Sequence, residues 1–394
     1  MKNTRLSFNR CDLFLSGWVI YYLQGILYEE GGIISTAILG LLLFVSIIYC
    51  FRTLLLNDLP VYFKGLNVLL LMLTLYGVIH ILMFPGMIHY SISGLTLPSY
   101  EYLKAIWLSL LPIYTFYYYS RKGYIDERKL RLWFIVFVIS CMLSFFRSQR
   151  DAILARGVEE ITNNSGYLML SLIPGLVLFQ RKSIIQFLLL SFISAFIFIG
   201  MKRGAILIAG ICMPILLLNC FKHATSKQKF IFILLIIVLV CFGVSFVQYQ
   251  MQTSEYLMLR ILETEAGESS GRDTLYGFFI NYYINQNTFF SFLFGNGANA
   301  TLNIFENYAH NDWLEIAINQ GLFGIIIYLF YFKTICKTWQ LSTNDNAKVI
   351  IELVGIILFL KTLFSMSYAD MTYTVTSVLG FALAKTKEPN GINL

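Results

Sequence analysis

Apolar runs of about 17–25 residues recur from one end of this chain to the other, and each is long enough to cross a hydrocarbon core roughly 30 Å thick. Of the 394 residues, 57% are hydrophobic and only 13% are charged, whereas a soluble domain is about one-quarter charged. Such a chain cannot bury its apolar surface as a water-soluble globule. The sequence therefore predicts an all-α, polytopic integral membrane helical bundle. A soluble enzyme, a nucleic-acid-binding protein and a β-barrel are disfavoured.

The runs predict about twelve transmembrane helices in a single membrane domain that covers residues 1–394. Pro174-Gly175 and Gly380 interrupt two of the runs, so eleven or thirteen helices are alternatives. The seven cysteines are odd in number and have no Cys-x-x-Cys spacing, so neither a disulfide framework nor a zinc site is indicated. The predicted spans are 13–28, 32–50, 66–84, 100–119, 130–146, 166–180, 183–199, 205–220, 230–247, 314–332, 349–367 and 372–384.

Most of the 29 basic residues fall near the N-terminus and in alternate loops, which the positive-inside rule places in the cytoplasm. Both termini are therefore predicted to be cytoplasmic. The one long loop, residues 248–313 between the ninth and tenth spans, is predicted to lie on the opposite side. Four of its apolar residues have the spacing of an amphipathic helix: Leu275, Phe278, Phe279 and Tyr282. This stripe predicts either a helix at the membrane interface or a lid packed on the bundle.

Several basic residues lie on the side where the positive-inside rule disfavours them. Lys202 and Arg203 occupy a turn of a few residues between two apolar runs. The other outer basic residues are Arg147, Arg150, Arg156, Arg260 and Arg272. An anionic ligand at the outer boundary would compensate for this placement, because guanidinium groups bind phosphates in a bidentate manner. Pairing with nearby acids or with lipid headgroups is the alternative.

His310 stands directly before the tenth predicted span, within Tyr308-Ala309-His310-Asn311-Asp312-Trp313-Leu314-Glu315. A neutral imidazole accepts a proton near physiological pH, since its reference pKa is about 6.5. Asn311, Asp312 and Glu315 are close enough in sequence to orient the ring. His310 is therefore the candidate general base.

Short motifs follow one another in the second half of the chain. They are Lys202-Arg203-Gly204, Gly271-Arg272, Gly295-Asn296-Gly297, His310-Asn311 and Gln320-Gly321-Leu322-Phe323-Gly324. In order and in predicted side of the membrane they resemble the C-terminal half of the O-antigen polymerase and ligase family. The similarity covers about residues 195–335, and the preceding residues match only in hydropathy pattern. Lys202 stands where that family more often has Ser or Thr.

The resemblance implies transfer of a glycan from undecaprenyl diphosphate to a sugar hydroxyl, at the periplasmic face of a bacterial inner membrane. Neither a cofactor nor a metal is expected, and the partners would be a lipid-linked donor and acceptor, membrane lipids and a chain-length regulator. Arg203 and Arg272 would bind the diphosphate, and His310 would take the proton of the attacking hydroxyl. The predicted substrate-binding residues are Arg147, Arg150, Lys202, Arg260, Asn311, Asp312 and Trp313. Sugar stacking by Trp313 has an alternative, an interfacial aromatic belt.

Three other functions stay open at this stage. A ligase, which transfers glycan to lipid A-core, uses the same donor. The resemblance of His310-Asn311-Asp312-Trp313-Leu314-Glu315 and Gly321-Leu322-Phe323-Gly324 to polysaccharide polymerases favours a polymerase. A metal-dependent glycosyltransferase would use Glu29-Glu30 or Glu263-Thr264-Glu265 as oxygen ligands. A lipid-linked oligosaccharide flippase or transporter would place ionisable residues at mid-membrane, for which the candidates are Lys104, Glu352 and Lys361.

Overall fold

A computed structural model describes residues 9–29, 31–156, 165–200, 202–253, 272–285, 288–305, 307–365 and 372–386. The helices of this part are α1 (Arg10–Tyr22), α2 (Ile33–Leu54), α3 (Tyr62–Met83), α4 (Glu101–Arg121), α5 (Glu127–Arg156), α6 (Ser165–Leu170), a 3₁₀ helix (Ile173–Phe179), α7 (Ser183–Ile199), α8 (Arg203–His223), α9 (Ser226–Thr253), α10 (Arg272–Asn285), α11 (Phe289–Phe294), α12 (Thr301–Ile304), α13 (Asp312–Leu341), α14 (Asp345–Phe364) and α15 (Tyr373–Lys385). Between α3 and α4, β1 (Met87–His89) pairs antiparallel with β2 (Thr96–Pro98).

Six helices in the described ranges are long and apolar enough to cross a membrane. They are α2, α3, α8 and α13 together with Glu127–Ser148 of α5 and Ser226–Ser245 of α9. Large apolar side chains such as Leu41, Leu71 and Leu234 are more than half exposed on these helices, as expected where lipid surrounds them. The protein is therefore an all-α integral membrane protein. The count of about twelve spans and the side of the long loop stay predictions.

The helices follow the predicted spans closely in places and depart from them in others. The span predicted at 183–199 coincides with α7. The span predicted at 13–28 extends too far, because α1 ends at Tyr22 and a turn follows. The loop predicted at 147–165 is wrong in its first part, because α5 continues to Arg156.

The span predicted at 166–180 is divided into two pieces. α6 ends at Leu170, and the 3₁₀ helix begins at Ile173 with Pro174 in its first turn. Proline has no backbone N–H and disfavours helical geometry in the residue before it. The pair Pro174-Gly175, recognised in the sequence as an interruption, therefore ends the regular helix. The hairpin of β1 and β2 was not predicted.

Contacts within the chain divide it into two compact units, of which the first comprises Met1–Ile38 and Asp126–Asp273. In this unit α1 is joined to α5 by a buried ion pair, in which Nζ of Lys129 lies 2.7 Å from Oδ2 of Asp12. The indole of Trp133 donates to Oδ1 of the same carboxylate at 2.9 Å. Asp12 also forms a capping box with Asn9 at the start of α1. One carboxylate therefore caps α1 and fixes it to α5.

The second unit comprises Leu39–Ile125 and Thr274–Leu394. Two pairs of its helices contact each other at a glycine, which is typical of helix packing in membranes. Gly380 of α15 lies so close to Phe116 of α4 that a Cβ would require a shift, and a Cβ on Gly65 of α3 would overlap the side chain of Thr334 of α13. These contacts pack α15 against α4 and α3 against α13. The single membrane domain predicted for both units together stays a prediction.

α13 is interrupted at Gly321, whose φ of 68° and ψ of −162° lie outside the helical region. The hydroxyl of Tyr328 donates to Oδ2 of Asp312 at 2.6 Å. The rings of Trp313 and Phe332 lie 6.1 Å apart. In an unbroken helix, positions 312 and 328 would be separated by about 24 Å, at 1.5 Å per residue. The two parts of α13 therefore fold back on each other at Gly321.

The tenth predicted span, 314–332, is consequently wrong in its first part. Residues 312–320 form a short segment, called here the folded-back helix, and residues 322–341 run on as the longer part of α13. The apolar pattern continues across Gly321, so periodicity alone gives no sign of the break. Only the positive φ, which glycine adopts without a steric penalty, permits the reversal.

α10 provides the amphipathic helix predicted within the long loop. Its Phe279 is fully buried and packs with Ala300, Ala309 and Ile318, the last of these on the folded-back helix. Of the other stripe residues, Leu275 and Tyr282 pack against this cluster, while Phe278 is 37% exposed. The stripe therefore covers protein, in agreement with the packed-lid interpretation. A location at the membrane interface stays a prediction.

Candidate active site

The N-terminus of the folded-back helix is fixed by Asn311. Its backbone is extended, and its side-chain oxygen accepts from the backbone N–H groups of Trp313 at 2.9 Å and Leu314 at 3.2 Å. Asparagine is among the preferred N-cap residues because its short side chain satisfies N–H groups that have no partner inside the helix. Asn311 therefore determines where the helix begins, and His310 lies directly before this cap.

His310 has a backbone φ of 51°, in the left-handed region that residues other than glycine seldom adopt. Its side chain is half-buried. Its carbonyl oxygen lies 3.4 Å from the hydroxyl of Tyr276 on α10, which also lies 3.2 Å from the carbonyl of Leu363 at the end of α14. Such a conformation costs about 1–3 kcal/mol and persists only where the surroundings enforce it. The structure therefore holds the predicted proton acceptor in a specific backbone conformation.

Glu315 supplies much of that enforcement. Its carboxylate is fully buried, and Oε1 accepts from the backbone N–H of Ala309 at 2.6 Å. Oε2 accepts from the hydroxyl of Thr301 at 2.9 Å and from the side-chain amide of Asn319 at 3.2 Å. The carboxylate thus connects α12, the residue before His310 and the folded-back helix.

The opposite end of the folded-back helix is fastened by the Gly295-Asn296-Gly297 turn. The backbone N–H of Asn296 donates to the carbonyl of Ile318 at 2.9 Å, and that of Gly297 to the carbonyl of Asn319 at 3.0 Å. A Cβ on Gly295 or on Gly321 would overlap the backbone of the other segment, and Gly295 has a φ of 77°. The Gly-x-Gly motif and the glycine of the span motif therefore form one backbone contact.

Further polar groups of α4 and its neighbours surround this helix. Gln320 donates from Nε2 to the hydroxyl of Tyr102 at 2.8 Å. The side-chain oxygens of Asn319 and Gln320 are buried and have no hydrogen-bond partner. Burial, followed by the negative charge of Glu315, raises the pKa of Tyr308 to about 12. The segment before His310 thus borders a polar cluster on the second unit.

Lys104 and Lys361, two of the ionisable residues that a transporter would need at mid-membrane, lie near helix ends. Nζ of Lys104 lies 2.6 Å from Oε2 of Glu101 in the first turn of α4. Lys361 is buried in the last turn of α14. Neither lysine therefore lies in the middle of its helix.

Asp312 and Trp313, predicted to bind substrate, are engaged inside the second unit. Asp312 is fully buried and accepts from Tyr328. The indole of Trp313 donates to Thr362 at 2.9 Å, and its ring centroid lies 5.2 Å from that of Tyr328. These contacts join the folded-back helix to the longer part of α13 and to α14.

Lys202 and Arg203 lie in the first unit, where the chain turns between α7 and α8. Lys202 is the N-cap of α8 and makes no side-chain capping hydrogen bond, and Arg203, the first helical residue, is exposed. The turn is packed through glycine: Gly200 approaches Gly166 of α6, and a Cβ on Gly166 would lie 3.3 Å from Cβ of Lys202. The exposed guanidinium group of Arg203 therefore follows a closely packed backbone segment.

Of the other predicted cations, the structure describes the side chains of Arg147 and Arg272 only. Arg147 donates from Nη1 to the carbonyl of Gln24 at 2.7 Å, and Arg272 is half-buried as the first residue of α10. The side chains of Arg150 and Arg156 lie outside the described residues, although both belong to α5. Arg260 lies outside the described residues altogether. Within the described ranges, no group of three or more His, Cys, Asp and Glu side chains is arranged to hold a metal ion.

Sequence reasoning missed the contribution of Tyr276 and Thr301 and assigned Glu315 only a general orienting role. Thr301 and Tyr276 belong to no motif, so their contacts with the His310 segment depend on tertiary folding. Glu315 did carry a signal, because a carboxylate in an apolar stretch close to a histidine requires hydrogen-bond partners once it is buried.

The family model described as O-antigen ligase matches residues 168–329. The match includes Lys202, Arg203, Arg272, the Gly295-Asn296-Gly297 turn and His310, so the resemblance inferred from the motifs is confirmed. The comparison with curated proteins found no match. The family covers both ligases and polymerases, and it indicates a membrane enzyme of the glycosyltransferase type with lipid-linked glycan substrates.

Proposed function

We propose, from the premise that residues 168–329 form a domain of the O-antigen polymerase and ligase family, that this protein polymerises lipid-linked oligosaccharide repeat units. The donor would be a glycan on undecaprenyl diphosphate, and the acceptor a second lipid-linked unit. The reaction would take place at the periplasmic face of a bacterial inner membrane, with both termini in the cytoplasm.

The observation that carries the proposal is the way in which the His310 turn is held. Asn311 caps the folded-back helix, Glu315 binds the backbone N–H of Ala309, and the Gly-x-Gly turn fastens the far end. A proton acceptor must be held within hydrogen-bond reach of the hydroxyl that it deprotonates. A rigid backbone beneath a half-buried imidazole provides that geometry.

In the proposed reaction, the acceptor hydroxyl oxygen attacks the anomeric carbon of the donor glycan. The bond between that carbon and the phosphate oxygen breaks, and undecaprenyl diphosphate leaves with the bonding electron pair. His310 accepts the hydroxyl proton, a contribution of about 10²–10⁴ in rate. Arg203 and Arg272 would stabilise the charge on the departing diphosphate. Removing one such donor raises the activation free energy by about 2.7–4 kcal/mol.

The position of Arg203 supports this assignment. It is the first residue of α8, directly after the N-cap Lys202. A helix N-terminus carries a partial positive charge and unpaired N–H groups, so an arginine there is unfavourable without an anion and favourable with one. A diphosphate satisfies both the backbone dipole and the guanidinium group. Lys202, Arg147, Arg150, Arg260 and Asn311 are proposed to assist in binding.

The chain course supports one side of the membrane for the arginines and the histidine. Two candidate spans, Arg203–Lys222 and Ser226–Ser245, follow the Arg203 turn. Two crossings return a chain to the side where it began. Between them and α13, the described residues contain no further candidate span. Labelling single cysteines at 203 and 310 from each side tests this topology, and opposite labelling would contradict the proposal.

The contacts of Asp312 and Trp313 support a changed role for these two residues. Both are hydrogen-bonded within the fold, to Tyr328 and Thr362. We therefore propose that both residues hold the folded-back helix, and the binding of substrate by either of them stays a prediction.

The ligase is the second candidate, because the matching family includes both activities. Deleting the gene separates the two on a glycan gel. Loss of a polymerase leaves core carrying a single repeat, whereas loss of a ligase leaves long lipid-linked polymer unattached. The proposed polymerase predicts the former pattern.

Direct turnover tests the activity itself. Purified protein is mixed with a defined undecaprenyl-diphosphate oligosaccharide, with and without excess EDTA, and the products are separated by length. The proposal expects extension in both samples. Extension that stops with EDTA and returns with Mg²⁺ would support the metal-dependent alternative.

A further inference from the structure

We propose that Glu315 is a positioning residue for His310, acting through the backbone of Ala309. This inference rests on the proposed role of His310 as proton acceptor, and it adds a residue that does not touch the reacting atoms. The question is whether the buried carboxylate merely stabilises the fold or sets the place of the imidazole.

The partners of Glu315 are all donors. They are the backbone N–H of Ala309, the hydroxyl of Thr301 and the side-chain amide of Asn319. A carboxylate is an acceptor-only group with room for several such bonds. Neither of the two ion pairs in the described part of the chain includes Glu315. The three donors therefore take the place of a cation in satisfying this buried group.

A methionine could not replace this arrangement. Its side chain has a similar length and shape, but it carries no carboxylate oxygen. The backbone N–H of Ala309, the hydroxyl of Thr301 and the amide of Asn319 would lose their acceptor in a site with no exposure. A glutamine is less informative, because its oxygen can still accept from Ala309 N–H while its NH₂ donates to the Thr301 hydroxyl oxygen or to a turned Asn319 amide. Glu315→Met is therefore a small change in shape that breaks specific bonds.

The bond to Ala309 N–H is the one that reaches the proposed catalytic residue. Ala309 is fully buried and directly precedes His310, whose φ of 51° is unfavourable. Asn311 fixes the residue after His310 through the helix cap. Without Glu315, the turn loses the hydrogen bond to Ala309 N–H, and the backbone at His310 relaxes toward a more common conformation. A displacement of about 1 Å at a reacting group can cost 10²-fold in rate.

The experiment uses purified full-length protein and a defined undecaprenyl-diphosphate oligosaccharide as both donor and acceptor. We compare Glu315→Met with Glu352→Met, a carboxylate on α14 of the same unit. For Glu315→Met we expect a fall of about 10–100-fold in kcat with a KM within about twofold of wild type. For Glu352→Met we expect both constants to stay near wild type. A positioning defect lowers kcat selectively, whereas partial unfolding lowers the active fraction and the melting temperature together.

A second pair of variants applies if Glu315→Met fails to accumulate in the membrane. Thr301→Val removes one donor to Oε2 without changing size, and Thr301→Ser retains the hydroxyl. We expect kcat to fall about 3–10-fold in Thr301→Val, as one lost hydrogen bond predicts, and to stay near wild type in Thr301→Ser.

His310→Ala separates failure of this inference from failure of the proposed function. If His310→Ala is inactive while Glu315→Met and Thr301→Val both keep wild-type kcat, the positioning role is wrong and the proposed function stands. If His310→Ala retains turnover, the proposed function fails and the inference fails with it. Equal losses in Thr301→Val and Thr301→Ser would also overturn the inference, because they would indicate a packing effect.

Discussion

The turn before the folded-back helix and the turn before α8 both carry predicted site residues, but they are built differently. At the first, His310 is half-buried and its backbone has a rare conformation. Asn311 after it caps the helix, and the N–H of Ala309 before it donates to Glu315. At the second, Lys202 makes no side-chain cap and Arg203 is exposed, while contacts between Gly166 and Gly200 pack the backbone.

The difference corresponds to two chemical tasks. Proton transfer depends steeply on distance and direction, so a fixed backbone at the proton acceptor raises its rate. Binding a diphosphate depends on charge and on several donors that can adapt to a headgroup with many oxygens. A long, exposed arginine on a firm turn can follow its ligand. The comparison therefore predicts that His310 tolerates no replacement, while Arg203 tolerates one that keeps the charge.

The largest effect is expected from His310→Ala. Removal of the proton acceptor should lower kcat by about 10²–10⁴-fold without lowering the amount of protein in the membrane. The control is His89→Ala, on the exposed β1 strand, where the ring is hydrogen-bonded to Thr96 at 3.0 Å. In vitro extension of the lipid-linked oligosaccharide measures both. Near-normal extension by His310→Ala would remove the basis of the comparison.

Arg203→Ala should have the next largest effect, a loss of about 10²–10³-fold in kcat. Arg203→Lys should recover a substantial part of it, because the charge remains and the bidentate geometry does not. Arg181→Ala, an exposed arginine of the same unit predicted on the other side, should be neutral. If lysine is no better than alanine at 203, the adaptable-cation interpretation is wrong.

Asn311→Ala should give an intermediate effect that separates positioning from stability. Loss of an N-cap costs about 1 kcal/mol, so the melting temperature in detergent should fall. Asn344→Ala removes the cap of α14, whose oxygen accepts from Ala347 N–H at 3.0 Å, and should lower stability similarly. Only Asn311→Ala should also reduce kcat, by several-fold. Equal kcat values for the two variants would indicate that the His310 turn needs no cap.

Trp313→Phe should give the smallest change. The indole donates to Thr362 and packs on Tyr328, so phenylalanine keeps most of the packing and loses about 1 kcal/mol of hydrogen bonding. We expect turnover within about threefold of wild type and an unchanged KM for the acceptor. A large rise in that KM would restore the sugar-stacking role predicted from the sequence.

The sequence predicted the membrane class and many helix positions because these depend on local composition. α7 matches its predicted span, since the apolar run ends beside Lys182 at one end and Lys202 at the other. Prediction failed where a long apolar pattern hides a reversal, as at Gly321, and where a helix extends through charged residues, as α5 does to Arg156. Hydropathy carries no information on either.

The candidate site divides in the same way. His310 and Asn311 were recognisable because a histidine followed by an N-cap residue precedes an apolar helix, and Arg203 because it contradicts the positive-inside rule. The bonds from Thr301 and Tyr276 join residues that are far apart in sequence. Their partners are determined by how helices pack, which single-sequence patterns do not encode.

The reversal at Gly321 makes residue number a poor guide to depth in this region. Asp312 and Tyr328 lie side by side, with Gly321 at the apex between them. A water-soluble thiol reagent applied to single cysteines from 313 to 330 should therefore produce a profile that turns over near 321. A continuous rod would produce a single monotonic trend. His310 therefore lies at the end of the folded-back helix that is farthest from Gly321, although residues 314–320 were predicted to begin the tenth span.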